Sequence, residues 1–363
     1  MAIGIKDTIE GAFAGHETFT IRYGWLKRGF DHAIVDPSLF YGDDAHHRLG
    51  VGKNMAKSIR FWLSACRLMD EIPDPGNGRR RLMAPTQFGL SLLAGAPAVE
   101  EVKAYEAALA QVAPPFVGTV GLDPYLEDLS SWWLLHWMML SPGGKLPVWW
   151  TAFHTFAPVS FTADSLLEHV LAQIETTSNW TDPKPPTTSS VKKDVLALLR
   201  AYAGASGSRR RDKIDDEIDA PMVPLSLVRG SEAGYRFAIG PKPELTPEVA
   251  AFACLDFLER TGATAKTALV STLATEVGAP GRAFKVTERD LADLLAKAAA
   301  AHPDLLEVTS STGSDTMAVV ADAPLPHVAT MLLHRRYGGL GHNPDGVGFA
   351  DVAATPTVLP EAA

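Results

Sequence analysis

Residues 50–67 fit one local structure, a helix with two unlike faces. Met55, Ile59, Trp62 and Cys66 recur at helical spacing and require a core, while Lys53, Lys57, Arg60, Ser64 and Arg67 follow a similar spacing from two positions earlier. Two residues turn a helix through roughly 200°, so the basic row points away from the core. Pro73, Pro75, Gly76, Asn77 and Gly78 then impose a turn, Arg79, Arg80 and Arg81 follow it, and residues 82–93 are apolar again. A helix, a short basic hairpin and a second apolar helix outline a winged helix. A winged-helix-like DNA-binding module is therefore expected over residues 1–95, with Lys53, Asn54, Lys57, Arg60, Arg67, Arg79, Arg80 and Arg81 on double-stranded DNA.

Charge supports one localised contact rather than general stickiness. The net charge is −9, yet residues 48–81 carry eight Arg or Lys against three acids. A basic face on an acidic body suits a protein that meets phosphate at one place; a solvated helix face is the other reading. The longest apolar stretch, residues 132–140, is far short of the roughly 20 residues that span a bilayer. Residues 1–15 lack the order of a signal peptide, so a cytoplasmic protein without a membrane partner is expected. The two cysteines, Cys66 and Cys254, exclude a disulfide framework and a cysteine-rich zinc site.

The whole chain reads as mainly α with small β-hairpins. Residues 21–34 form a helix in this reading, capped by Thr18 or Thr20. A helical Trp-rich domain is expected over 96–205, since five of the eight tryptophans fall between 132 and 150. Its helices are 100–112, one opened by Asp123-Pro124 with Leu126, Leu129, Trp133, Trp137 and Leu140 inward, then 162–177 and 191–202. Residues 182–190 read as an exposed loop. A C-terminal α+β module over 206–340 offers strands at 222–228 and 235–239, helices at 247–260, 265–277 and 287–301, and a hairpin from 305–309 and 316–320. That order suggests a second winged-helix-like unit. Its third helix mixes Arg289 and Lys297 with Glu288, Asp290 and Asp293, which favours protein contacts over phosphate. Residues 341–363 read as a flexible tail.

Two clusters carry chemistry. His16 and Glu17 stand before a helix start bearing Arg22. A general base, a metal ligand and a cation that stabilises a pentavalent phosphate are the roles phosphodiester cleavage needs, and these residues supply them in that order. Pairing of Glu17 with Arg22, or capping, is the structural alternative. Asp123, Glu127 and Asp128 form a reserve metal site, against which stands their value as cap and dipole partners. His136, among tryptophans, reads as a hydrogen-bonded core residue. Nothing upstream of Gly50-Val-Gly52-Lys53 reads as a parallel strand, so an NTPase loop is not expected, although free N–H groups there suit a DNA phosphate.

Three strings in order are distinctive: Gly15-His-Glu-Thr-Phe-Thr-Ile-Arg-Tyr-Gly-Trp-Leu-Lys27; Leu49-Gly-Val-Gly-Lys-Asn-Met55 with Ser58-Ile-Arg-Phe-Trp-Leu63; and Asp123-Pro-Tyr-Leu-Glu-Asp128 with Trp133-Leu-Leu-His-Trp137. They resemble the DNA-nicking SspB family of bacterial single-strand phosphorothioation (Ssp) systems, over about residues 10–320. The resemblance implies a nickase that opens one strand so that sulfur enters the DNA backbone as a self-mark in anti-phage defence. It also implies a cysteine desulfurase and ATP-using proteins as partners. The expectation is therefore a DNA-nicking endonuclease using a divalent metal, Mg²⁺, with a homodimer compatible. A non-catalytic adaptor that recruits the sulfur-transfer enzymes, or a transcriptional regulator, are the alternatives.

Overall fold

The computed structural model describes residues 13–338, apart from 75, 95–120, 178–179, 181–184, 205–218, 264 and 312. The expected helix at 100–112, residues 206–218 at the start of the expected C-terminal module and the tail 341–363 lie outside the described residues, as does part of the loop 182–190. The chain opens with α1 (Trp25–Val35), a 3₁₀ turn (Leu39–Tyr41), α2 (Ala45–Arg48) and α3 (Lys53–Ala65). Apolar spacing puts Leu26, Phe30, Ala33 and Ile34 of α1 against Ile59, Trp62 and Leu63 of α3, all buried. The Pro/Gly turn then joins β1 (Met69–Asp74) to β2 (Asn77–Pro85) as an antiparallel hairpin. Met83 N–H donates to the Pro37 carbonyl at 2.9 Å, so the segment after α1 flanks β2. Thr86 caps α4 (Gln87–Leu93), its hydroxyl accepting from Gly89 N–H at 2.9 Å.

Next comes α5 (Leu129–Leu140), buried on every side along Trp132, Trp133, Leu135, Trp137 and Met139. A helix apolar all round belongs at the centre of a protein, and this one does. Asp123-Pro124 does not open it. Asp128 is its N-cap, and Asp123 instead closes the preceding turn, accepting from the N–H groups of Glu127 (3.0 Å) and Asp128 (2.9 Å) and from the Ser131 hydroxyl (2.6 Å). After α6 (Pro147–Trp150) the backbone widens into a π-helical turn at Thr151–Thr155. Then follow β3 (Ser160–Phe161), α7 (Ala163–Thr176) and α8 (Thr188–Ala203).

The strand expected at 222–228 is a 3₁₀ turn (Val223–Leu225) followed by β4 (Val228–Ser231), because Pro224 has no N–H for a ladder. β5 (Gly234–Phe237) pairs with both β4 and the distant β3. Helix α9 (Pro247–Arg260) matches the expectation. The helix expected at 265–277 is instead β6 (Thr267–Leu269) and then α10 (Val270–Thr275), the free edge of a later strand having captured Thr267–Leu269. The chain finishes with α11 (Pro280–Phe284), α12 (Glu288–Ala301), β7 (Leu306–Ser311), β8 (Ser314–Val319) and α13 (Leu325–Gly338); the last sheet has the order β6-β8-β7.

One buried apolar cluster reaches from Ile21 to Tyr337. His136 lies within it as a hydrogen-bonded core residue: Nδ1 is 2.7 Å from Tyr202 Oη and Nε2 is 2.9 Å from the Ala283 carbonyl. Burial pushes its pKa down to about 3. Among the described residues no helix is long and apolar enough to cross a membrane.

Candidate nucleic-acid interface

Helix α3 presents its first turn to solvent. Lys53 and Asn54 are exposed, the N-cap Gly52 offers no side-chain acceptor, and no acid occupies the first turn. The leading N–H groups and the positive end of the helix therefore face outward beside Lys53. Lys57 is also exposed and reaches Glu17 at 3.5 Å, a weak surface pair. Arg79, Arg80 and Arg81 stand exposed on β2, at the end of the hairpin remote from the core.

Two expected contact residues are turned inward. Arg60 donates from Nε and Nη2 to the two carboxylate oxygens of Glu71 at 3.1 and 2.6 Å, and its guanidinium covers the Tyr41 ring at 4.4 Å. Burial opposes ionisation of Glu71, but the Arg60 hydrogen bonds outweigh it and hold the carboxyl below its usual range. Burial also pushes the Tyr41 hydroxyl, 3.2 Å from Glu71, up to about 12. Arg60 thus joins α3 to β1 instead of facing a ligand. Arg67 follows α3 with φ 56° and donates to the carbonyls of Ser141 (2.8 Å) and Pro142 (2.7 Å), in the seam below α5.

His16 is also withdrawn. It is 1% exposed, and its ring lies about 6 Å from the rings of Phe61, Trp62 and Trp149. Its Nδ1 accepts the Thr18 N–H at 3.1 Å, which puts the proton on Nε2, donated to Asp194 of α8 at 2.7 Å. Asp194 accepts from Ala14 N–H as well, and burial raises its pKa despite His16. With both ring nitrogens engaged, His16 clasps the loop before α1 to α8 and is not placed as a general base. Glu17 and Thr18 hold positive φ (49° and 71°) beside this clasp, a conformation that costs non-glycine residues energy. Arg22 covers Trp25 at 5.5 Å and lies 3.9 Å from Asp219.

The reserve metal site does not assemble. Both oxygens of Asp123 close its turn, Glu127 is exposed, and Asp128 caps α5 while accepting from Arg336 at 2.7 Å. Among the described residues no three His, Cys, Asp or Glu side chains converge as a metal-binding group. Asp123, Glu127 and Asp128 are thus occupied by turn, cap and ion-pair contacts or exposed, and do not form a shared metal site.

A family model described as a protein of unknown function, DUF4007, matches residues 13–337. The chain belongs to the DUF4007 family. It is similar to a crystal structure of SspB, with 30% identity and a TM-score of 0.79 across 94% of this chain and 93% of that one. A magnesium-ion-bound crystal structure of SspB is equally similar, with 31% identity and a TM-score of 0.79 over 96% and 94%. No curated protein matches.

In this DUF4007 chain the basic stripe was readable because it is local. Glu71, Tyr41 and Asp194 were missed as partners. Arg60 and Glu71 are 11 residues apart on different elements, and His16 and Asp194 are 178 apart, so neither pair leaves a spacing signal.

Proposed function

We propose that this DUF4007 chain binds duplex DNA through the first turn of α3 and the β1–β2 hairpin, and nicks one strand while sulfur is placed in the DNA backbone. The observation that carries the binding half is Arg79, Arg80 and Arg81, exposed together on a protruding hairpin with no carboxylate pair among the described residues. The open N-terminus of α3 beside Lys53 supports it, because backbone N–H groups and a lysine suit one phosphate. We read this unit as a winged helix. The C-terminal unit has the same logic: α9, β6, α10, α12, β7 and β8, with strand order β6-β8-β7. Similarity to SspB supports the phosphorothioation setting, in which a cysteine desulfurase and ATP-using proteins are the partners.

Among the catalytic candidates Glu17 supplies the carboxylate, half-buried and 3.5 Å from Lys57 of the proposed surface. Supercoiled plasmid incubated with the full chain, with Mg²⁺ or with EDTA, tests the reading. Nicked circles are expected with Mg²⁺ and none with EDTA; Glu17→Gln should retain DNA and lose nicking. A second reading, a non-catalytic adaptor, is favoured by the engagement of His16 and Asp123 in purely structural contacts. It predicts plasmid retention without nicked circles under any divalent metal.

A further inference from the structure

We infer that two adjoining cavities between α3, α4, α5, α9 and α13 form one nucleotide-binding groove, taking a phosphate at one end and a base at the other. The first chamber, about 300 Å³, lies where α3 ends and the hairpin returns to the core. Arg67, Lys145 and Arg260 line it against a single lining carboxylate, Asp70. Each cation is aimed by a fixed neighbour. Arg67 holds the Ser141 and Pro142 carbonyls, and Lys145 Nζ donates to Ser64 Oγ at 2.9 Å. Arg260 Nε donates to Asp256 at 2.7 Å, an acid that Trp137 Nε1 also anchors at 2.8 Å. Positive charge delivered from three elements and already ordered costs little further entropy when an anion arrives. Gly143 and Gly144 leave the adjoining wall without side chains.

The second chamber, about 340 Å³, is walled by Phe88, Leu122, Met138, Phe252 and Leu333, with Asp256 and Glu259 at its polar side and His327 and Thr330 beside them in the lining. Gln87, Phe88, Met138 and Arg260 line both chambers, so the two are continuous. Each is at the small end of ligand pockets, which run about 300–1,000 Å³. Inorganic phosphate would leave the apolar chamber empty, and a nucleoside would bring no anion to the end lined by Arg67, Lys145 and Arg260. A lipid chain is too long for an apolar space of this size. A nucleotide matches both halves.

Its source is either a free mononucleotide or an unstacked nucleotide of a bound strand, and only the latter rests on the DNA reading above. Calorimetric titration of the full chain with 2′-deoxyadenosine 5′-monophosphate, deoxyadenosine and inorganic phosphate tests the groove. The mononucleotide should bind at least about tenfold tighter than either fragment, and Lys145→Met should weaken it by about ten- to a hundredfold. Thr330→Trp, which fills the apolar chamber from a half-buried position, should do the same, with circular dichroism verifying both folds. Equal binding of phosphate and mononucleotide, no mononucleotide binding, or unchanged affinity in both variants would overturn the groove.

A duplex carrying 2-aminopurine separates the sources. A fluorescence rise that Thr330→Trp abolishes, at undiminished anisotropy, assigns the groove to the strand; mononucleotide binding without that rise assigns it to free nucleotide. Arg79, Arg80 and Arg81→Ala should cut duplex binding while leaving the mononucleotide titration intact. Failure of the DNA reading is thereby distinguished from failure of the groove.

Discussion

The molecule contains two helix-plus-hairpin units, one with a basic surface and one with mixed charge. In the first, α3 carries Lys53, Lys57 and Arg60 with no acid, and its hairpin exposes three arginines. In the second, α12 sets Glu288, Asp290 and Asp293 against Arg289 and Lys297, and a Thr287/Asp290 capping box occupies its N-terminus. An N–H already bonded to a cap, beside a carboxylate, is a poor seat for phosphate. Similar frames therefore carry different charge patterns, and the side chains decide what each frame can meet.

DNA binding should set the two units furthest apart. Arg79, Arg80 and Arg81→Ala should lower duplex affinity by about two to three orders of magnitude and flatten the salt slope by about 2.7, near 0.9 for each phosphate no longer neutralised. Arg289→Ala with Lys297→Ala should change neither. Equal losses from both sets, measured by anisotropy across a salt series, would erase the distinction.

Close backbone approach is what the two units share. A Cβ on Gly89 would collide with the Leu68 carbonyl oxygen, and one on Gly281 would collide with Ala274 Cα. Gly89→Ala and Gly281→Ala should each cost about 3 kcal/mol in denaturant unfolding. A near-neutral result in either would mean that its unit is seated loosely.

Acid should separate the units again. Burial holds His136 near 3 and His154 well below its ordinary range, and both connect α5 or the turn after α6 to the second unit: His136 to the Ala283 carbonyl, and the His154 carbonyl to Arg282. Both are neutral in the native chain, whereas the unfolded chain takes up protons below about 6.5. Their stabilisation is thus complete above that pH and declines as the pH falls, by up to about 1.4 kcal/mol per pH unit for each histidine, down to about pH 3 for His136. Urea midpoints between about pH 7.5 and 4 should fall, and His136→Gln should flatten the curve. Hydrogen exchange should quicken at α11 before α3; loss at both together would contradict this assignment.

The smallest effects concern the stripe itself. Arg60→Met should cost about 1–2 kcal/mol of stability by stranding Glu71, yet leave the salt slope unchanged. Lys57→Ala should alter the slope by about 0.9 and stability hardly at all.

What could be read in advance followed the range of the interaction. The α3 start at Lys53, the turn at 73–78 and the span of α9 all follow from neighbours in the chain. Aspartate capping was the right chemistry at the wrong residue, because Asp123 and Asp128 both carry that signal and only the packed turn chooses between them. β6 escaped notice since Thr267–Leu269 becomes a strand only when β8 offers its edge. At the candidate site, exposure of Arg79–Arg81 was legible, whereas the diversion of Arg60, Arg67 and His16 depended on partners elsewhere in the sequence.

Two closures reach far along the polypeptide: His16 to Asp194, 178 positions on, and Ser131 to Tyr337, 206 positions on. A ribosome must therefore finish α8 before the loop leading into α1 can be pinned, and must reach α13 before the start of α5 is secured. Fragments released early lack these ties, so the edge proposed to meet DNA matures late in synthesis.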